Sequence, residues 1–128
     1  SAKIWERILA LGTAEQSEST LEVVPTIFGE RHDPSQNGSV TNIDLGNVSL
    51  GKVTKALCKG IVTNLHSMMP QSLLIDSGII RIVGGGSALT RNPILQKELE
   101  AQYQLPVIMD ARGDACYGAA LVAIISRE

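Results

Sequence analysis

A chain of 128 residues with 44% hydrophobic and 19% charged residues is long enough for one domain with a real core and short for a complete two-domain enzyme. Its formal net charge of −2 gives no electrostatic reason to expect nucleic acid or an acidic membrane surface as a partner. No apolar run approaches the ~20 residues of a membrane span, and no charged-then-apolar secretion signal opens the chain.

The composition predicts a folded protein of a reducing, cytoplasmic setting. Aromatics at 3% leave an aliphatic, alanine-rich core, and Cys58 and Cys116, both in apolar helical patterns, are expected as buried free thiols. The chain opens on Ser1-Ala2-Lys3, without Met and already inside a helical pattern, which suggests a piece cut from a longer protein.

Along the chain, Ile4, Trp5, Ile8, Leu9 and Leu11 repeat at helical spacing, with Gly12 placed to close the helix. Residues 13–20 are polar and read as a loop. Leu21 to Phe28 is β-branched and apolar around Pro25, which predicts a strand of edge or bulge character. Gly29 to Gly38 is rich in turn formers, and Ser39 to Leu45 alternates as a second strand. The longest helix follows, with Ser49 as N-cap, Pro70 as stop, and one apolar stripe of Leu50, Val53, Leu57, Ile61, Leu65 and Met68. Gly60 inside it costs about 1 kcal/mol relative to alanine, so it reads as a packing glycine.

Residues 71–78 are a short helix or loop, and Ile79 to Val83 is a third strand. Asn92-Pro93 supplies an N-cap and a first-turn proline for a helix whose inward face is Leu95, Leu99 and Tyr103. Leu105 to Met109 is a fourth strand and Gly113 to Ser126 a last helix. The connection between the third and fourth strands suits parallel pairing. In the last helix Ala115, Gly118, Ala119 and Val122 share a small face, suited to tight packing or to a domain interface.

Candidate chemistry centres on Val83-Gly84-Gly85-Gly86-Ser87. A strand running into three glycines ahead of a helix brings bare backbone to a ligand, and a flat or phosphorylated group fits there. The spacing is not the Gly-x-Gly-x-x-Gly of dinucleotide folds, although Asp110 follows a strand, and no P-loop is present. The residues alone leave a plain turn and a nucleotide site both open. His32 and His66 stand in no metal-ligand spacing, so no metal site is expected. Glu30-Arg31-His32-Asp33 is a dense polar cluster, either a solvated turn or a loop facing a cleft.

Four motifs in order carry a resemblance: Pro25-Thr26-Ile27-Phe28-Gly29-Glu30-Arg31, Ala56-Leu57-Cys58-Lys59-Gly60-Ile61, Val83-Gly84-Gly85-Gly86-Ser87, and Asp114-Ala115-Cys116-Tyr117-Gly118-Ala119-Ala120. Together they make the chain, from about residue 3 onward, resemble the C-terminal domain of FGGY-type carbohydrate kinases. Gly29-Glu30-Arg31-His32, the long Gly84–Asn92 turn and Asn64–Met68 look most like the branch acting on a seven-carbon ketose. The turn departs from many family members through its extra Ala88, Leu89 and Thr90.

The resemblance implies an α/β fold: a partial ribonuclease-H-like domain of the actin-type ATPase superfamily, with a mixed sheet flanked by helices. It implies that residues 1–128 are the adenosine-binding C-terminal fragment of an enzyme using ATP and Mg²⁺ to phosphorylate a sugar hydroxyl. Gly84, Gly85, Gly86 and Ser87 would then receive the adenosine and α-phosphate side, with Asn92 near the base. No catalytic residue would lie in this fragment, since the aspartate base and most sugar contacts come from an N-terminal domain that these residues do not include. Helix 113–126 would match the interdomain connecting helix, with Gly60 packing close around it. The expected partners are the sugar, ATP and the missing domain. The alternatives are another sugar substrate (xylulose, ribulose or glycerol), a non-catalytic nucleotide-binding or scaffolding domain, or an oligomerisation unit built on the 113–126 face.

Overall fold

The computed structural model describes residues 1–110. The predicted helix 113–126, with Cys116 and its small-residue face, lies outside the described residues.

Helix α1 spans Ala2–Ala14, and Leu9 and Gly12 are its buried residues. Gly12 does not close this helix. A Cβ there would stand 2.5 Å from Ile94 Cδ1 and 3.0 Å from Thr54 Cγ2, so the glycine admits two neighbouring helices and the chain continues helical for two more residues.

Two short strands follow, β1 (Glu22–Val24) and β2 (Ser39–Thr41), paired antiparallel with Val23 opposite Val40. Both are shorter than the sequence pattern. Pro25 removes a ladder donor and stops β1. Asn42 adopts a left-handed φ of 59° and ends β2. Buried Asn47 then fixes the turn, donating from Nδ2 to the Asn42 carbonyl at 2.7 Å and accepting from the Asp44 N–H at 2.9 Å.

Helix α2 (Leu50–Met68) is the organiser. Ser49 caps it, accepting from the Lys52 N–H at 3.3 Å, as the sequence predicts. It packs on α1, on β1 and on α5 (Pro93–Tyr103). Its buried positions are Gly51, Thr54, Ala56, Cys58 and Val62. The apolar stripe of the sequence is not this buried face: Leu50, Val53, Leu57, Ile61, Leu65 and Met68 are all 37–51% exposed. Gly60 is a packing glycine, and its described partner is β1, because a Cβ on it would collide with the Val23 carbonyl oxygen.

Helix α3 (Gln71–Asp76) leads to β3 (Ile82–Gly84), which pairs in parallel with β4 (Val107–Met109), Val83 opposite Ile108. The β3–α5–β4 crossover is the parallel unit expected from the sequence. One core cluster joins Val62, Leu74, Leu99 and Tyr103, with Ile82 and Val107 packed against it. A second joins Leu9, Cys58 and Ile94. Tyr103 is anchored by its hydroxyl, which donates to the Met69 carbonyl at 2.9 Å, and by edge contact with the His66 ring. Strands in both orientations and helices make an α/β fold, its strands forming two separate two-stranded ladders.

Gly60→Ala separates helix propensity from packing. Propensity alone favours alanine by about 1 kcal/mol. The blocked approach to Val23 makes the variant less stable by about 1–3 kcal/mol in urea unfolding, whereas a gain in stability would show that the close contact is dispensable.

Candidate functional site

The glycine turn opens where β3 ends. Gly84 is buried, and a Cβ on it would come within 2.5 Å of Leu89 Cδ2 and 3.0 Å of Met109 Cε, so its bareness serves the floor of the turn. Gly86 differs. It takes a φ of 83°, a conformation open to glycine and strained for side-chain-bearing residues, and nothing stands within 4 Å of where a Cβ would project. Gly85 is half-buried between them, and Gly86 and Ser87 are exposed. The four residues thus share one turn, closed beneath at Gly84 and, among the described residues, open at Gly86.

The turn does not run straight into the long helix, as the sequence pattern suggests. Ser87–Thr90 form an additional short helix, α4, built from the extra Ala88, Leu89 and Thr90. The Gly86 carbonyl accepts from the Thr90 N–H and Oγ1, both at 3.0 Å. Gln96 of α5 then ties α4 down by donating to the Leu89 carbonyl at 2.9 Å.

Asn92 is the predicted N-cap of α5. Its Oδ1 accepts from the N–H groups of Ile94 and Leu95, each at 3.1 Å, and its Nδ2 donates to Cys58 Sγ at 3.5 Å. The residue is 7% exposed, so its side chain is committed to α5 and α2. Cys58 is a free, buried thiol, as expected. Burial pushes its pKa up from the ordinary 9.0, partly opposed by the Asn92 hydrogen bond. This Asn92–Cys58 contact, across 34 residues of sequence, carries no local sequence signal.

The polar cluster after β1 divides in two. Glu30 Oε1 accepts from Asn64 Nδ2 of α2 at 2.6 Å, while Asp33 turns the chain by accepting from the Ser35 N–H and hydroxyl. Ser35 holds the Asp33 carboxyl below its usual range. Arg31 and His32 are exposed. A cleft of about 440 Å³ lies between β1 and α2, lined among others by Thr20, Val23, Gly60 and Asn64, and no residue of the glycine turn reaches it. Among the described residues no three His, Cys, Asp or Glu side chains gather as a metal site. No described helix is long and apolar enough to cross a membrane.

A glycine turn between β3 and a capped helix, on a parallel crossover, with a separate antiparallel pair, belongs to a fold that this chain has in common with sugar kinases. Solved structures share it. The xylulose kinase from Rhodospirillum rubrum superposes over 100% of this chain and 26% of its own, with a TM-score of 0.77 and 23% identity. The xylulose kinase from Bifidobacterium adolescentis covers 97% and 26%, with a TM-score of 0.70 and 20% identity.

In sequence the chain is similar to sedoheptulokinase. It is 49% identical over 121 residues to that of Mus musculus and 47% identical over the same length to that of Homo sapiens, covering 94% of this chain. It spans 25% of the length of these curated relatives. No family model matches the chain.

Asn92→Ala leaves the α5 N–H groups uncapped and the Cys58 side of the amide empty, an expected loss of about 1–2 kcal/mol in denaturant unfolding; an unchanged midpoint would show that neither the cap nor the amide contact contributes to stability. The Cys58 thiol has its own signature. Its folded pKa is raised, so its contribution is intact below the unfolded value and is lost as pH rises through the folded one. Wild-type stability should hold between about pH 7 and pH 8 and fall above about pH 9, more steeply than that of Cys58→Ser. Parallel pH curves for the two proteins would contradict the assignment.

Proposed function

We propose that the full-length protein carrying this chain is an ATP-dependent sugar kinase of the cytosol, phosphorylating sedoheptulose at its terminal hydroxyl to give sedoheptulose 7-phosphate. Residues 1–128 supply the adenosine-binding C-terminal part. The observation that carries the reading is the 47–49% identity to two sedoheptulokinases across 94% of the chain.

The geometry of the turn supports a place for ATP. Gly85 and Gly86 present backbone without side chains, and Gly86 is open on the side where a Cβ would project. A flat purine can lie against such a surface at van der Waals distance. Gly84 and its Leu89–Met109 floor hold the turn from beneath, so the seat exists before the nucleotide arrives. Ser87 stands at the exposed lip, where its hydroxyl can reach the α-phosphate side. Asn92 acts beneath the seat, fixing the start of α5, rather than by turning its amide to the base.

Phosphoryl transfer depends on positioning and on charge stabilisation around the transferred group, with Mg²⁺ supplying the latter when bound. We assign Mg²⁺ to none of the described residues, among which no three metal-ligating side chains gather. The general base and the sugar contacts are assigned to the rest of the parent protein, so the 128-residue chain alone is inactive.

ADP release by the parent, assayed with sedoheptulose, xylulose, ribulose and glycerol, should give the highest kcat/KM for sedoheptulose, by about tenfold or more. Absence of sedoheptulose turnover overturns the substrate, and absence of turnover with every sugar overturns the kinase. In the same enzyme Gly85→Val should raise KM for ATP about tenfold while leaving KM for the sugar unchanged. An equal rise in both would remove the turn from the nucleotide site.

A further inference from the structure

Helix α4 is a single turn, Ser87–Thr90, too short to hold itself together in water. The Thr90 N–H donates to the Gly86 carbonyl at 3.0 Å and the Arg91 N–H to the Ser87 carbonyl at 3.2 Å. Side chains must supply the rest. Leu89 is the apolar anchor, packed against the cluster of Val62, Leu74, Leu99 and Tyr103. The Thr90 hydroxyl adds a second donor to the Gly86 carbonyl, at 3.0 Å.

Gln96 supplies the polar tie from another element. It lies one turn past the Asn92 cap of α5, and its Nε2 donates to the Leu89 carbonyl at 2.9 Å and to the Thr90 carbonyl at 3.3 Å. These are the last two carbonyls of α4, which no further turn of that helix can satisfy. Both partners are acceptors, so the orientation of the amide follows from them. Thr90 is the joint. Its N–H and hydroxyl fix the Gly86 carbonyl, and its own carbonyl is held by Gln96. A hydrogen-bonded line thus runs from α5 to the glycine turn, through Gln96, Thr90 and Gly86.

Gly86 depends on that line. Its φ is 83°, and nothing stands within 4 Å of where a Cβ would project. Glycine populates both signs of φ with similar ease, so the neighbours that bond to it must set its orientation. We propose that Gln96 is a positioning residue for the nucleotide: it donates to α4, and α4 holds the Gly86 peptide in the orientation that receives ATP. This rests on the reading of the glycine turn as the ATP seat. Donation is the decisive property. A carboxylate of the same length would face two carbonyl oxygens and repel them, whereas an ammonium would restore a donor.

In the full-length parent, Gln96→Met and Gln96→Glu remove the donor and Gln96→Lys keeps one. The first two should raise KM for ATP about fivefold at an unchanged KM for the sugar, with Gln96→Lys within about twofold of wild type. KM does not depend on the fraction of enzyme that is folded, so a general loss of stability does not produce that split. An unchanged KM for ATP, a rise shared by the sugar, or a Gln96→Lys enzyme no better than Gln96→Met each overturns the proposal. Thr90 is exposed, and Thr90→Val deletes only the hydroxyl on Gly86. It should raise KM for ATP about twofold, and no change overturns the link to Gly86.

Hydrogen exchange reads the same line without catalysis. The Thr90 amide should exchange about tenfold faster in Gln96→Met than in wild type, and an unchanged rate overturns the route through α4. Gly85→Val separates this proposal from the reading beneath it. If that variant raises KM for ATP alone while the Gln96 variants match wild type, the seat stands and its positioning by Gln96 falls. If it raises both KM values equally, the seat falls and the role of Gln96 with it.

Discussion

The close approach of α2 to β1 at Gly60 is the contact on which the rest of the structure depends. The Val23 carbonyl stands where the Cβ of any other residue would project, so the strand lies directly on the helix backbone. A glycine in a helix interior costs about 1 kcal/mol, and only a packing gain of that order offsets it. The gain is architectural as well as local. With β1 seated, the loop after it comes within reach of the next turn of α2, and Glu30 accepts a hydrogen bond from Asn64. On the buried side of the same helix, Val62 and Cys58 meet α5 and α1. One small residue therefore sets the height at which the antiparallel ladder sits over the helix that also supports the parallel one.

Asn92 transmits that support to the glycine turn. Its oxygen satisfies two N–H groups at the start of α5 while its amide reaches Cys58 on α2. Gln96 then binds α4 to α5, and Leu89 of α4 closes under Gly84. The turn is thus braced through side chains that never reach its open surface. A flat ligand meeting Gly85 and Gly86 would encounter backbone already in place, and less ordering entropy would oppose its binding.

Much of this was legible where local chemistry decides the outcome. Ser49 and Asn92 announce the starts of α2 and α5, and the crossover between β3 and β4 forces parallel pairing. Strand length was less legible. Pro25 truncates β1 as a missing donor must, but Asn42 ends β2 through a left-handed backbone whose hydrogen bond comes from Asn47, five residues on. The α4 turn hides in a sequence whose glycines and Asn92-Pro93 suggest a direct entry to one helix. The least legible feature is direction. Periodicity shows that Leu50, Val53, Leu57, Ile61, Leu65 and Met68 share a face, but says nothing about what lies opposite it. The residues that pack are Gly51, Thr54, Cys58 and Val62 on one side and Ala56 on another, small residues that let neighbouring elements come close.

That division of labour on α2 bears on the site. Small side chains give close approach and a fixed geometry, whereas large aliphatic ones give burial energy, of order 1.5–3 kcal/mol per side chain when fully covered. In α2 the small face is used internally and the large face stays half-exposed. The described residues therefore fix the geometry of the glycine turn while the large apolar face of α2 stays half-exposed. Covering the α2 stripe would stabilise the helix that carries Cys58, and Cys58 touches the residue that caps α5 beneath the turn.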